Sequence, residues 1–249
     1  MDIIYILKDL YATKNLQKWI NNRFKDPNKV IFDSDFCKIF RVLIMENGIK
    51  FRPSRDLNTI CEIKREYDFS DMKSDDIVID IGANIGGFAI LASQYSNKVY
   101  AVEPFTIQEL KENIKLNNMN ITVIDSALGD GKNHLISWID RKKKINTMTF
   151  SQLRNICGGC DFLKCDCEGF EWFITPEDLL GVRRIEMELH NFNPSPNDPL
   201  ILIDYINNNY SMELKSRTGE RIKEFSMKFK NNIDNCLILH AKKNLLKLQ

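Results

Sequence analysis

The stretch Ile77–Ala89, I-V-I-D-I-G-A-N-I-G-G-F-A, constrains the fold of this chain more than any other. Ile77 to Asp80 reads as a buried strand, and the apolar run after the turn reads as a helix. A strand that feeds a helix through Gly82, Gly86 and Gly87 is a nucleotide-type binding turn. Glycine holds positive φ and lets a ligand approach bare backbone. The helix start beyond it offers unpaired N–H groups.

From Asp75 onward strand and helix patterns alternate. Val99 to Val102 is a second strand, ending at Glu103-Pro104. Thr106 with Glu109 three residues later has the form of a capping box, and Phe105 with Leu110 the form of a hydrophobic staple. Ile121 to Ile124 is a third strand, Leu135 to Ile139 an extra one, and Thr149 to Ile156 a short helix. Phe162 to Cys167 and Arg184 to Leu189 are the fourth and fifth strands, with a Pro-started helix at Thr175–Asp178 between them. A helix at Pro199–Asn207 follows. Met212 to Leu214 and Cys236 to His240 then suit an antiparallel pair. The alternation requires a mostly parallel α/β sheet with right-handed crossovers.

Residues 1–70 read as an appendage: an amphipathic helix over 2–24, a hairpin turning at Asn47-Gly48, and a helix capped by Ser54. Residues 71–249 form the main domain. The N-terminus is a poor signal peptide, no apolar run approaches the ~18 residues that span a bilayer, and seven cysteines without an export signal suit a cytoplasmic setting with no membrane partner. Net charge is +1, so composition carries no polyanion signal, and Arg141-Lys142-Lys143-Lys144 reads first as a solvated loop, with an RNA contact as the lesser alternative. Cys157, Cys160, Cys165 and Cys167 match no standard zinc spacing, and no metal is assigned.

The turn itself narrows the ligand. In a dinucleotide fingerprint the second Gly faces the pyrophosphate, and here Asn84 stands there. S-adenosylmethionine has no phosphate and tolerates that side chain. Asp80 and the backbone of Gly82, Ala83 and Asn84, with Gly86, are candidates for its methionine end. Glu103 is the candidate for its ribose hydroxyls, and Ser126 and Ala127 for its adenine. Asp166 and Glu168 share one face at the end of the fourth strand, and His190 closes the fifth. These three are the catalytic candidates, as base or polar bed for an acceptor. Glu171 reads as a solvated helix-start charge, and Glu186 and Glu188 as partners of Arg183 or Arg184.

D-I-G-A-N-I-G-G, V-E-P, D-S-A-L-G-D, F-L-K-C-D-C-E-G-F-E and I-E-M-E-L-H together resemble the FkbM family of S-adenosylmethionine-dependent methyltransferases, over Ile77 to His190. The resemblance implies a seven-stranded Rossmann-like fold with an antiparallel last strand. It implies that Asp80, Gly82, Asn84, Gly86 and Glu103 line the cofactor. Cys165 and Cys167 stand where aliphatic residues are usual. The expected function is O-methylation of a small-molecule or glycan hydroxyl. The alternatives are an RNA (tRNA-type) methyltransferase, since K-E-N-I-K-L-N-N resembles a helix of tRNA guanine methyltransferases, and a binding module without catalysis.

Overall fold

The computed structural model describes residues 30–31, 43–45, 48–52, 63, 66–138, 141–227 and 236–244. The expected helix over 2–24, and all but Tyr67 of the apolar face expected to follow Ser54, lie outside them. What is described before residue 70 is a small antiparallel sheet of β1 (Val30–Ile31), β2 (Leu43–Met45) and β3 (Lys50–Phe51), which contains the expected hairpin pairing. Asn113 and Asn117 clamp β3 to the main domain by accepting from the backbone N–H of Arg52 and Lys50.

The main sheet takes its parallel half from β4 (Ile77–Ile81), β5 (Lys98–Val102), β6 (Ile121–Ile124), β9 (Phe162–Cys165) and β10 (Arg184–His190). β11 (Tyr210–Ser216), β12 (Arg221–Ile222) and β13 (Cys236–Lys243) complete it in the order β12-β11-β13-β10-β9-β4-β5-β6. The expected antiparallel pair is β11 with β13, and β13 also runs antiparallel to β10. The two-residue β12 adds an eighth strand to the seven expected. The helices α1 (Gly87–Ala92), α2 (Ile107–Leu116), α3 (Phe150–Cys157) and α4 (Pro199–Asn209) follow β4, β5, the hairpin described next, and β10.

Each face has its own core. Ile79, Ile81, Leu163, Ile185, Met187 and Leu189 point to one face, with Trp172 and Leu202. Val78, Val99 and Phe162 point to the other, under Phe88 and Ile90 of α1 and Leu110 of α2. Past β4 this second face turns polar. Asp80, Lys164, Glu186, His240 and Glu213 stand directly opposite one another across five strands. Side chains opposite one another share a face, so their charges are placed to offset each other. Lys164 Nζ is 3.0 Å from Asp80, and His240 Nδ1 is 2.6 Å from Glu186.

Three local expectations are corrected. Residues Arg141 to Lys144 are not a loop. They lie in β8 (Arg141–Asn146), paired with β7 (Asn133–Trp138) as a two-stranded hairpin. Its inner-face cations find partners. The Arg141 guanidinium lies 5.6 Å from the Trp138 ring, and Lys143 donates to Pro104 O at 2.9 Å. Thr106 makes no side-chain cap for α2: its hydroxyl donates to Asn84 Oδ1 at 3.4 Å, and its backbone N–H goes to Glu103 in place of Glu109. The true capping box is Thr149 with Gln152 at α3. After Thr175 only a short 3-10 turn, Glu177–Leu179, forms, with Pro176 just before it.

Candidate active site

At the carboxyl end of β4 the chain turns through Gly82 (φ 73°), Asn84 (φ 48°) and Gly86 (φ 93°). A Cβ on Gly82 would stand 1.7 Å from the carbonyl oxygen of Asp166, so only glycine lets this turn meet the end of β9. The turn's N–H groups are not open to a ligand as expected. Gly82 and Ala83 donate to Val102 O at 3.0 and 3.1 Å, and Gly86 donates to Ala83 O. Asn84 N–H donates to Glu103 Oε2 at 2.9 Å. Asp80 is fully buried and is the counter-ion of Lys164, whose ammonium donates to Gly82 O at 2.9 Å and so braces the turn from below.

Glu103 is the hinge of this half. Its Oε1 accepts from Phe105 N at 2.5 Å and Thr106 N at 2.9 Å, so one carboxylate ties the turn to the start of α2. Burial raises its pKa and these three N–H groups lower it, with burial the larger influence. A carboxylate has about four lone-pair sites. The N–H groups of Asn84, Phe105 and Thr106 take three of them, and the Thr106 hydroxyl also bears on the carboxylate. Ser126 is buried, and its hydroxyl donates to Asn146 O at 2.9 Å, pinning the base of the hairpin. The carbonyl of Ala127 accepts from Met148. A buried carboxylate beside a left-handed glycine turn has the chemistry to meet the ribose hydroxyls of S-adenosylmethionine, and Glu103 is the residue that could hold them.

At the ends of β9 and β10 the site is made of side chains. Asp166, Glu168 and His190 come together as expected: His190 Nε2 lies 3.9 Å from Asp166 Oδ1 and 3.5 Å from Glu168 Oε2. Glu188 Oε1 is 3.8 Å from the same nitrogen. Glu188 pairs with Arg217, not with Arg183 or Arg184. Arg184 takes Glu186, and Arg183 takes Asp71 and Asp76. Glu171 is fully buried, not a solvated charge. Its Oε1 accepts from His190 N at 2.6 Å and faces His190 Nδ1 at 3.2 Å, while its Oε2 accepts from Gly169 N at 2.9 Å. Tyr67 donates to Asp166 Oδ2 at 3.5 Å, and Trp138 reaches from the hairpin to Glu168 Oε1 at 3.3 Å.

Burial works against the charge of His190, yet Glu171, Asp166 and Glu188 outweigh it and lift its pKa to about 9. Burial and the Asp166 charge push the Glu188 carboxyl up to about 7, against the pull of Arg217 and His190. Neutral solution therefore finds a protonated imidazole among carboxylates. Among the described residues, Asp166, Glu188 and His190 are also the group whose ligand atoms, all within 4.8 Å of one another, can hold a metal ion. Cys165 and Cys167 have their sulfurs 3.5 Å apart, and burial raises both thiols.

Glu171, Glu188 and Arg217 were not legible as site residues. Glu188 had a signal, since it lies two residues before His190 on the same strand face. Arg217 had none, because it arrives from beyond β11.

The sequence model of the TRM5/TYW2 methyltransferase domain matches residues 46–151, under half of the chain. That span holds the glycine turn, Glu103 and the hairpin, and it ends before β9. An uncharacterized protein of Methanocaldococcus jannaschii is 48% identical over 48 residues, a match spanning 18% of this chain and 18% of that protein. Among solved structures, a precorrin-6y C5,15-methyltransferase of Geobacter metallireducens is similar at 12% identity, over 78% of this chain and 94% of that one, with a TM-score of 0.44. An rRNA methylase of Streptococcus thermophilus is similar at 9% identity, over 77% and 98%, also at 0.44. A dimethyladenosine transferase of Plasmodium falciparum is similar at 11% identity, over 75% and 61%, at 0.41. The chain carries an S-adenosylmethionine-dependent methyltransferase domain. Among the described residues no helix is long and apolar enough to cross a membrane.

Proposed function

We propose that this domain methylates an RNA acceptor of the tRNA type. The observation that carries the reading is the match to the TRM5/TYW2 methyltransferase domain across the cofactor half and the hairpin beside it. Bound S-adenosylmethionine supplies an electrophilic methyl group on a sulfonium centre. Glu103 binds the ribose, and the Gly82–Gly86 turn shapes the wall next to it. An accepting oxygen or ring nitrogen must shed a proton, and Asp166 is the group placed to take it, at the rim of the site with one carboxylate oxygen near Tyr67. His190 carries positive charge between Asp166, Glu168 and Glu188. Its charge offsets the repulsion among those carboxylates and lets them stand close together. Glu171 is a positioning residue: it fixes the imidazole so that Nε2 faces them. Trp138 screens Glu168 from the hairpin side.

A second reading has its own support. In the FkbM-like stretch L-K-x-D-x-E-G-x-E, each charged residue has a place in the site. Lys164 pairs with Asp80, Asp166 and Glu168 face His190 Nε2, and Glu171 holds Nδ1. That arrangement suits a hydroxyl on a small molecule or glycan. The test is incubation of the protein with methyl-labelled S-adenosylmethionine and total cell extract, followed by separation of RNA, glycan and small-molecule pools. Label in an RNA nucleoside is the expected result. Label confined to glycan or small molecules overturns the RNA reading in favour of the second.

A further inference from the structure

The hairpin's inner face is fully engaged. Arg141 donates to Phe105 O at 3.2 Å and pairs with Glu109, and Lys143 reaches Pro104 O and Asp125. Trp138 packs 5.9 Å from Phe105 and also donates to Glu168. The hairpin thus arches from the tips of β5 and β6 to the tip of β9, alongside both halves of the site. Its outer face is different. Lys142 and Lys144 are exposed, and among the described residues neither has an ion pair or a hydrogen-bond partner. They stand two residues apart on one strand face, ~6.8 Å from each other. Ser137 lies opposite Lys142, and Leu135, 63% exposed, lies opposite Lys144.

Two unpaired cations on a hairpin whose other face is held by six contacts form a positive platform on a chain whose net charge is only +1. A solvated strand has no need of such anchoring. We propose that this outer face, Lys142 and Lys144 with Leu135, docks the phosphate backbone of the RNA whose target nucleotide enters the Asp166–His190 site. Charge complementarity selects the polyanion, and Leu135 offers apolar contact to a sugar or base lying between phosphates. The inference rests on the RNA reading above and deepens it.

The test is titration of a fluorescently labelled tRNA transcript with the full chain between 50 and 200 mM salt, for wild type, K142E/K144E and K142R/K144R. Loss of two phosphate contacts lowers the slope of log affinity against log salt by about 1.5. The expected results for K142E/K144E are that fall in slope, affinity at low salt weaker by tenfold or more, and S-adenosylmethionine affinity within twofold of wild type. K142R/K144R keeps wild-type binding, and for K142E/K144E the loss in RNA methylation appears in KM with kcat retained. If wild type methylates RNA and K142E/K144E binds it with unchanged affinity and slope, the dock is wrong and the RNA reading stands. If wild type neither binds nor methylates RNA, both fall.

Discussion

Gly82–Gly86 leaves β4 and Asp166–Gly169 leaves β9, and both turns pass through left-handed backbone at a non-glycine residue, Asn84 (φ 48°) and Glu168 (φ 57°). They touch at Gly82, where backbone meets backbone. Beyond that they differ. The β4 turn spends its N–H groups on internal bonds to Val102, Ala83 and Glu103, so its shape is set by main chain. The β9 turn is set by side-chain charge, with Glu171 folded beneath it and His190 drawn in among carboxylates. A main-chain cradle can be shared by any relative that binds the same cofactor, and the family match indeed covers the β4 side and stops before β9. The proposed function puts acceptor chemistry on the β9 side, where residues can vary without unmaking the cradle.

The largest effect that breaks this comparison is expected from Gly82→Ala. A Cβ 1.7 Å from a carbonyl oxygen, at φ 73°, forces the two turns apart. The variant should lose at least about 3 kcal/mol of stability in chemical denaturation and lose cofactor binding with it. Near-native stability would mean that the turns are not in contact. Glu171→Gln acts on the other side only. It weakens the hold on His190 Nδ1, and turnover should fall roughly 10–100-fold, the usual size for a group that orients a functional histidine. Glu171→Asp recovering more activity than Glu171→Gln would mark charge and not volume as the cause.

The charges of the β9 side also set a pH dependence. His190 is raised to about 9, so the stability it contributes is complete below about 6.5 and is lost as pH rises through 9. Glu188 is raised to about 7, so its contribution is complete below about 4.5 and is lost as pH rises through 7. Both act in one direction. Denaturation should show the contribution of this pair falling continuously between pH 4.5 and 9. His190→Gln should flatten the upper half of that curve; an unchanged curve would remove His190 from the cluster.

The smallest effect is expected from Glu168→Gly. Glycine relieves the left-handed strain, so stability should rise by about 0.5–1 kcal/mol. Turnover should nonetheless drop, because the contacts to His190 and Trp138 go. A gain in stability with no change in turnover would make Glu168 a strained bystander.

What could be read from sequence follows the same division. The β4 turn and the succession of strands and helices obey short-range periods, so Ile77–Ala89 was legible; the expected strand Phe162–Cys167 ends at Cys165, and Asp166 and Glu168 meet through a turn with Glu168 at φ 57°, not along a strand face. Thr106 misled because a neighbouring carboxylate, Glu103, reaches its N–H first. Glu171 misled because helix-start acids are usually solvated, whereas here a 3-10 turn at Phe170–Phe173 folds it under the sheet end. The lysine run reads as loop until β7 is seen opposite it, since a charged strand with one anchored face has no apolar alternation to announce it. Arg217 depends on a tertiary approach that no local pattern encodes.

The central proposal is that Glu103, set in a cradle shaped by main chain, binds the cofactor while the Glu171–His190 side serves the acceptor. The most direct test is calorimetric titration with S-adenosylmethionine, and NAD as the competitor, on wild type, Glu103→Gln and Glu171→Gln. Micromolar S-adenosylmethionine binding is expected in wild type and within twofold of that in Glu171→Gln. Binding at least tenfold weaker is expected in Glu103→Gln, with NAD weak throughout. Equal losses in the two variants, or tighter binding of NAD, would contradict the account.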